Sequence, residues 1–515
     1  VGEAYRNRGE MMAARRVFQR AADEAAPYVA SDDLMLLTTR VRASDHNLIV
    51  SIAASEQLDQ AIEILREKSL NSRAAAELLI DALLIRQELQ LWYGVPAHLP
   101  VERRLDTANE VNAVAIRNFG EGSRQQLRVV VAALRPRVNF EGRAPARQRI
   151  ESSLSQARLR RDGTTTSAEY LIADAHRATL ACEDGVQQTE SLAALRKSIE
   201  EVRVAHGSTG ILLEELMSLL ARCLRAAGDP AALGADVEAY EIAAAREKPP
   251  STNVMNRARF AFDGAMKARD LSAAERFHRS AMENAEAIPE PALRGRFTAL
   301  GRISEVCLLA WQGQAEAAEQ AAAPLIAESD VVYAKIGRLT PRQGELWTCL
   351  SSALRQQQRY PEALRTLRTY VERVRATKLS PDLNVRAGEG EALIERALIE
   401  LETDQIDAAR ATIEARRTMS ADLGSHPTYA LAYGRVLLAT GRAAEAVEPL
   451  RKNYETWLSL QPESPYTAEA LYWLGRANEA GGKPRGREMV AQAKATLANS
   501  PVEPHRRLAA GAKSS

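Results

Sequence analysis

The chain has 515 residues, with 68 basic against 67 acidic side chains and only 5% aromatic residues within a hydrophobic fraction of 46%. This length exceeds what one compact core accommodates, and the balanced charge excludes a broadly basic surface for nucleic acid. Apolar runs such as residues 127–134 are shorter than the ~20 residues that span a bilayer. The apolar content is largely Ala and Leu, which with Arg, Glu and Gln favour helices, so we predict an all-α fold.

The first stretch, VGEAYRNRGEMMAARRVFQRA, already has helical spacing at residue 1. Gly9 separates two helical segments, and Ala14 with Phe18 follows at helical spacing in the second. The small Ala lets two helices approach, and the Phe one turn later fills the space between them. Since the pattern is under way at Val1, we expect the first helix to be truncated and the chain to be a fragment.

The same pattern recurs along the chain. Clear copies are LWTCLSSALRQQQRYPEALRTL (346–367), YGRVLLATGRAAEAVEPL (433–450) and LYWLGRANEAGG (471–482). From residue 233 onward the Ala-equivalent positions are 37–46 residues apart. The residues predicted to pack the helix pairs are Tyr5, Ala14, Phe18, Ala61, Ala274, Ala318, Trp347, Ala363, Ala446, Leu474 and Gly475.

This pattern resembles the tetratricopeptide repeat (TPR), and its long period resembles the kinesin-light-chain type. The nine-residue step from Tyr5 to Ala14 recurs from Leu354 to Ala363 and from Leu437 to Ala446. The resemblance implies a right-handed α-solenoid of about twelve antiparallel helix pairs over residues 1–498. We expect a disordered tail over residues 499–515.

The repeat markers are weak between residues 95 and 205. Helices are expected at 102–119, 123–135, 145–160, 168–182 and 187–206, with loops at 135–145 and 160–167. A hinge is expected within 135–167, in preference to a separate domain.

Motifs for chemistry are scarce. The sequence has no P-loop, no H-E-x-x-H and no kinase catalytic loop, and Gly388–Glu389–Gly390 is interpreted as a loop. We therefore expect no catalytic residue, metal or cofactor within this chain. The four cysteines, Cys182, Cys223, Cys307 and Cys349, lack metal-ligand spacing, and we interpret them as buried apolar residues, not as a disulfide framework.

In TPR proteins the first helix of each pair lines a concave groove. Matching positions carry Arg222, Arg225, Arg355, Arg435, Arg476 and Tyr472. Because Arg binds carboxylates bidentately, the groove is expected to hold a protein or peptide ligand, and an acidic one in particular. The alternative is ion pairing within the groove, with Glu215, Glu469 and Glu479 among the partners.

The resemblance extends to the C-terminal repeat regions of bacterial serine/threonine protein kinases. It implies a non-catalytic interaction scaffold, serving as the sensor or substrate-recruiting arm of a larger signalling protein with a kinase domain upstream. The alternatives are the sensory arm of a transcriptional regulator and a free-standing adaptor. This fragment lies in the cytoplasm under these interpretations, or in the periplasm if an upstream membrane helix tethers it.

Overall fold

The structure, a computed structural model, describes residues 11–44, 52–92, 103–288, 291–336, 339, 343–376, 383–419 and 427–511. Within these ranges the chain forms 25 α-helices and no β-strand, which confirms the predicted all-α class. No helix in these ranges combines the length and hydropathy that a membrane span requires.

The helices are numbered in chain order. The first twelve are α1 (Met11–Ala25), α2 (Leu34–Ser44), α3 (Ile52–Lys68), α4 (Arg73–Trp92), α5 (Arg103–Phe119), α6 (Arg124–Ala132), α7 (Leu134–Glu141), α8 (Arg143–Leu159), α9 (Ala168–Glu183), α10 (Gln188–His206), α11 (Ile211–Ala226) and α12 (Ala232–Arg246). The others are α13 (Thr252–Ala268), α14 (Leu271–Glu286), α15 (Pro291–Trp311), α16 (Ala315–Ile336), α17 (Gln343–Gln356), α18 (Tyr360–Ala376), α19 (Leu383–Glu402), α20 (Ile406–Arg417), α21 (Pro427–Ala439), α22 (Ala443–Leu460), α23 (Pro465–Ala480), α24 (Arg485–Leu497) and α25 (Glu503–Ala510).

The chain divides into two compact units. Unit 1 comprises residues 1–261 and 280–295, and unit 2 comprises residues 262–279 and 296–515. The predicted hinge at 135–167 falls inside unit 1 and stays a prediction.

Successive helices form antiparallel pairs, whose first and second members we call A and B helices. In unit 2, for example, A helices α17, α19, α21 and α23 alternate with B helices α18, α20, α22 and α24. Helices adjacent in the chain pack against each other throughout α1–α12 and α16–α25, and A helices also contact the next A helix, as α9 does α11 and α17 does α19. The A helices therefore form the inner layer of the bend within each unit, and the predicted solenoid of helix pairs is confirmed.

Small residues stand where helices approach most closely. The predicted packing alanines Ala61, Ala274, Ala318, Ala363 and Ala446 are all 0% exposed. Ala14, Trp347 and Leu474 are also buried, Phe18 is half-buried, and Tyr5 lies outside the described residues. At Gly475 a Cβ would lie 2.9 Å from the Gly486 carbonyl oxygen, so this crossing requires glycine.

The segment 135–145, which the sequence analysis interprets as a loop, is mostly helical. Helix α7 covers residues 134–141, and Gly142, with φ 91°, separates it from α8. Pro136 has no N–H and cannot bond the carbonyl of Ala132. The buried Gln87 amide donates to that carbonyl instead, at 2.9 Å. The A helix of this pair is therefore broken into α6 and α7, and the Ala132 carbonyl, which has lost its intrahelical donor, is hydrogen-bonded by Gln87.

Gly388 and Gly390 also lie in a helix, α19, and not in a loop. A Cβ at Gly388 would lie 2.6 Å from the Tyr370 hydroxyl, and one at Gly390 would lie 2.6 Å from Cζ of Arg416. The glycines thus allow two large buried side chains, Tyr370 and Arg416, to cross the backbone of α19.

The tail predicted to be disordered contains a helix. Helix α25 spans Glu503–Ala510, and Val502, Pro504, His505 and Leu508 are buried. The prediction is wrong for these residues. It rested on their polar, Pro-containing composition, whereas the helix is stabilised by the protein surface against which the segment packs. Residues 512–515 lie outside the described residues.

The interpretation of the cysteines as unpaired apolar residues is also wrong. Cys182 is disulfide-bonded to Cys223, and Cys307 to Cys349, with Cα–Cα distances of 5.2 and 5.0 Å. Each disulfide joins an A helix to the next A helix, α9 to α11 and α15 to α17. Spacings of 41 and 42 residues, close to one repeat, place the two thiols of each pair at equivalent positions.

Replacing Gly475 with Ala should destabilise unit 2 by about 1–3 kcal/mol, because the added methyl overlaps the Gly486 carbonyl and the Val490 side chain. The control is Gly481→Ala, where the Cβ makes ordinary contacts of 3.4 Å or more. Urea unfolding of both variants checks this. Equal midpoints for the two would contradict the close crossing at Gly475.

The two disulfides should persist in protein purified without reductant, and we expect the chain to mature in an oxidising compartment. Denatured, unreduced protein should then take up no alkylating agent, and reduced protein should take up four equivalents, as read by intact mass. A Cys182→Ser/Cys223→Ser chain should lose about 2–4 kcal/mol of stability, since the native bond closes a long loop. Four alkylated thiols before reduction would contradict the assignment.

Candidate functional site

The inner face, meaning the A-helix surface on the inside of the bend, carries most of the predicted groove residues. Arg355, Arg435 and Tyr472 are buried, Arg225 is half-buried, and the side chains of Arg222 and Arg476 are 42% and 49% exposed. Each arginine has a carboxylate nearby: Glu183 for Arg222, Asp236 for Arg225, Glu402 for Arg355 and Arg435, and Glu479 for Arg476. Ion pairing within the array, the alternative interpretation, thus describes these contacts.

In unit 1 the inner face is a ladder of charges across three A helices. Arg222 of α11 reaches back to Glu183 of α9 at 2.7 Å. Arg257 of α13 donates to Glu214 at 2.6 Å and to Glu215 at 3.0 Å, and His176 lies 3.7 Å from Glu215. The contact with His176 lowers the pKa of Glu215 to about 2, with Arg257 adding to the effect against the cost of burial. Each A helix is thereby tied to the next by charge.

Arg225 is different, because its partner is on a B helix. Asp236 lies in α12, is 4% exposed, and pairs with the Arg225 guanidinium. Arg225 therefore joins the two helices of its own pair and contributes little to the inner face.

In unit 2 the centre of the inner face is the carboxylate of Glu402, at the end of α19. Arg355 of α17 donates to it through Nε at 3.0 Å and also through Nη2. Nη1 of Arg355 lies 3.4 Å from both oxygens of Glu395. All three side chains are at most 10% exposed. The pairing stabilises charges that would otherwise be costly in this buried position.

Arg435 of α21 completes this layer. Its Nη1 is 4.0 Å from Glu402, and its guanidinium stacks 4.3 Å above the Trp473 ring. It is 4% exposed, and its Nε has no hydrogen-bond partner among the described residues. An acidic residue here would be buried against Glu402, so such a change would report on folding and not on ligand binding.

Arg476 and Tyr472 lie beside each other on α23. Arg476 Nη1 donates to the Tyr472 hydroxyl at 3.3 Å, and Nε is 3.8 Å from Glu479. The buried Tyr472 ring packs edge-on against Trp473. Of this pair only Arg476 is accessible to a ligand.

An aromatic cluster joins the beginning of unit 2 to its end. The guanidinium of Arg269, in the turn after α13, lies 3.2 Å from the centre of the Trp311 ring. Tyr466 and Trp457 surround it at 5.3 and 5.7 Å, and the Tyr466 hydroxyl donates to the Trp311 carbonyl. Burial lowers the pKa of Arg269 and raises the pKa of Tyr466 to about 12. Unit 2 therefore closes on itself through cation–π contacts.

Helix α25 lies on this closed inner face. Arg507 donates to the Tyr360 hydroxyl and, at 3.3 Å, to Glu402. His505 places Nε2 3.3 Å from Glu469 and Nδ1 2.8 Å from the Ser500 hydroxyl. The contacts come from α18, α19 and α23, so helices far apart in sequence hold one short segment.

The carboxylates beneath α25 stay ionised well into acid. Burial raises the pKa of Glu469, but the His505 hydrogen bond and the charges of His505, Arg435 and Arg355 outweigh it and bring the pKa to about 2. For Glu402 burial is likewise outweighed, chiefly by Arg355, and the pKa is lowered. The inner face thus presents anions to the segment that covers it.

Several of these residues escaped the sequence analysis. The TPR positions identify Arg355 and Arg435, but not Glu402, Arg269 or the aromatic rings that meet over more than 150 residues. The segment PVEPHRRL (501–508) does contain a signal, because Val502, His505 and Leu508 recur every three residues and all three are buried, as is Pro504.

Comparisons with known proteins give no family assignment. No family model matches the chain, and no curated protein matches it. Among solved structures, the crystal structure of the APC/C hetero-tetramer Cut9–Hcn1 is 11% identical, with a TM-score of 0.44 over 96% of this chain and 85% of that chain. The crystal structure of Ypp1 is 10% identical, with a TM-score of 0.44 over 98% and 88% of the two chains. Likeness at this level supports no conclusion about function.

The low pKa of Glu469 predicts acid sensitivity. Its stabilisation is complete above the unfolded value near pH 4.5 and is lost as the pH falls toward 2. Glu469→Gln should therefore cost about 3 kcal/mol at pH 6, and this difference from wild type should disappear near pH 2. Urea unfolding across this range measures it, with the exposed Glu463→Gln as control. A deficit in Glu469→Gln that is the same at every pH would contradict the assignment.

Proposed function

We propose that the chain is a non-catalytic protein-interaction scaffold whose inner faces hold segments of other proteins. One observation supports this above the others: the inner face of unit 2 holds a helical segment, α25, through His505 and Arg507. A surface with charged and aromatic groups from several helix pairs suits peptide recognition, since it contacts a segment at many points along its length.

Unit 1 offers an accessible inner face for the same purpose. The Arg222 guanidinium is 42% exposed although it pairs with Glu183. Guanidinium groups bind carboxylates bidentately, so Arg222, together with Arg476 in unit 2, supports an acidic ligand. Arg355, Arg435 and Tyr472 are buried and would serve such a ligand only by holding the surface in shape.

The biological setting that we propose is an arm of a larger bacterial signalling protein, such as a serine/threonine kinase, that senses or recruits substrates. The TPR-like pattern of long repeats supports this setting. A regulator of transcription and a free-standing adaptor use the same kind of surface. The coding sequence that flanks this chain separates the three, because only the first requires a kinase domain and only the second a DNA-binding module.

A photo-crosslinking amino acid at Ser218, one turn before Arg222 on α11, should capture a protein partner in the cells that make the chain. The matched control is the same label at the exposed Glu241 on the B helix α12. We expect a discrete protein adduct at residue 218 only, and a weaker one after Arg222→Glu, which repels an acidic ligand. Equal adducts at both positions, or none at inner-face positions of either unit, would refute the scaffold proposal.

A further inference from the structure

The contacts of residues 499–511 are those of a ligand in a site. Besides Arg507 and His505, Leu508 joins the apolar cluster of α21–α24 and is 6% exposed. The carbonyl of Pro501 lies so close to Gly313, in the turn after α15, that a Cβ there would approach it to 2.4 Å. The segment therefore touches elements from four helix pairs of unit 2.

The segment has little stability of its own. Helix α25 is eight residues long, and isolated helices of this length do not persist in water. Its internal contacts involve mainly Arg506, which donates to the Pro501 carbonyl at 2.6 Å and to Glu503 at 2.8 Å. The position of the segment thus depends on the groups that receive it.

Those receiving groups are anions and hydrogen-bond acceptors. Glu402 and Glu469 have side chains 7% and 13% exposed, and the Tyr360 hydroxyl accepts from Arg507. Arg355 and Arg435 neutralise the deeper side of Glu402, whereas its Oε2 faces Arg507. Without α25, Glu402 would lose the guanidinium of Arg507 and Glu469 the imidazole of His505. The site therefore selects a segment that carries positive charge.

We propose that the inner face of unit 2 binds a short basic helical segment of a partner protein, and that residues 499–511 occupy this site in its absence. The partner segment would carry a hydrogen-bonding side chain and a cation two residues apart, like His505 and Arg507, and an aliphatic residue next to the cation, like Leu508. This inference rests on the proposed scaffold function and gives it a partner chemistry and a means of regulation. The C-terminal segment and the partner exclude each other.

The tethered segment competes strongly. A segment joined by a short linker has an effective concentration on the order of millimolar, so a free ligand at micromolar concentration displaces it only when it binds much better. When the C-terminal segment is loosened, a larger fraction of the sites is vacant. The apparent affinity of the free ligand should therefore rise in proportion to that fraction.

The probe is a labelled peptide of residues 499–511, NSPVEPHRRLAAG, and the host is the full chain. His505→Ala/Arg507→Ala in the host removes the side-chain contacts to Glu469, Glu402 and Tyr360. Arg506→Ala is the matched control, because within the described part of the chain the hydrogen bonds of this arginine stay inside its own segment. Circular dichroism verifies that each host is folded, and fluorescence anisotropy measures binding.

The double variant should bind the peptide at least about tenfold more tightly than wild type, and Arg506→Ala should resemble wild type. Adding Tyr360→Phe, which removes only the accepting hydroxyl, should weaken this binding, and a peptide with Glu in place of both His505 and Arg507 should not bind. A folded double variant without the gain, an equal gain in Arg506→Ala, or binding of the acidic peptide would overturn the proposal. So would a wild-type dimer in sedimentation that disappears in Arg507→Ala, because the occupant would then be a second copy.

Failure here is distinguishable from failure of the scaffold proposal. The crosslink at residue 218 reports on the inner face of unit 1, whereas the peptide assay reports on unit 2. A crosslinked partner there, together with no peptide binding in unit 2, would refute the basic-segment site and leave the scaffold function standing.

Discussion

The inner layer of unit 2 depends on one buried carboxylate, that of Glu402. Guanidinium groups reach it from α17, α21 and α25, that is, Arg355, Arg435 and Arg507. On the inside of a bend, long side chains of like charge would repel one another, and buried charges without a partner would lose their hydration. Around Glu402 they alternate in sign, so the A helices can approach and the first and last pairs of the unit can meet at Arg269.

The two inner faces use the same chemistry with different outcomes. In unit 1 the ladder from Glu183 to Arg257 links neighbouring A helices and leaves Arg222 partly in water. In unit 2 the equivalent groups are buried beneath a segment of the chain. The same interactions that order the array thus also determine which groups a ligand can reach. These are the Arg222 guanidinium in unit 1 and, beneath α25 in unit 2, the carboxylates of Glu402 and Glu469.

The sequence predicts the helix pairs well because their packing is local. Alanine and glycine at fixed spacing, such as Ala363 and Gly475, mark where neighbouring helices cross, and those contacts join residues within one repeat. Closure of unit 2 was not predictable in this way, since Trp311 and Tyr466 are 155 residues apart and neither belongs to a repeat position. Composition did not predict α25, because the contacts that hold this helix come from distant parts of unit 2. Cysteine spacing did not predict the two disulfides, because cysteines one repeat apart become neighbours only when adjacent helix pairs stack.

The disulfides also bear on how the chain would respond to tension. Each one links two neighbouring A helices, so the segments between the bonded cysteines, which are 41 and 42 residues apart, cannot extend when the chain ends are pulled. At ~3.5 Å per extended residue, each disulfide withholds roughly 140 Å of contour length from extension. Such a chain would lengthen first through its unbridged pairs, and these two bridged steps would keep neighbouring A helices together.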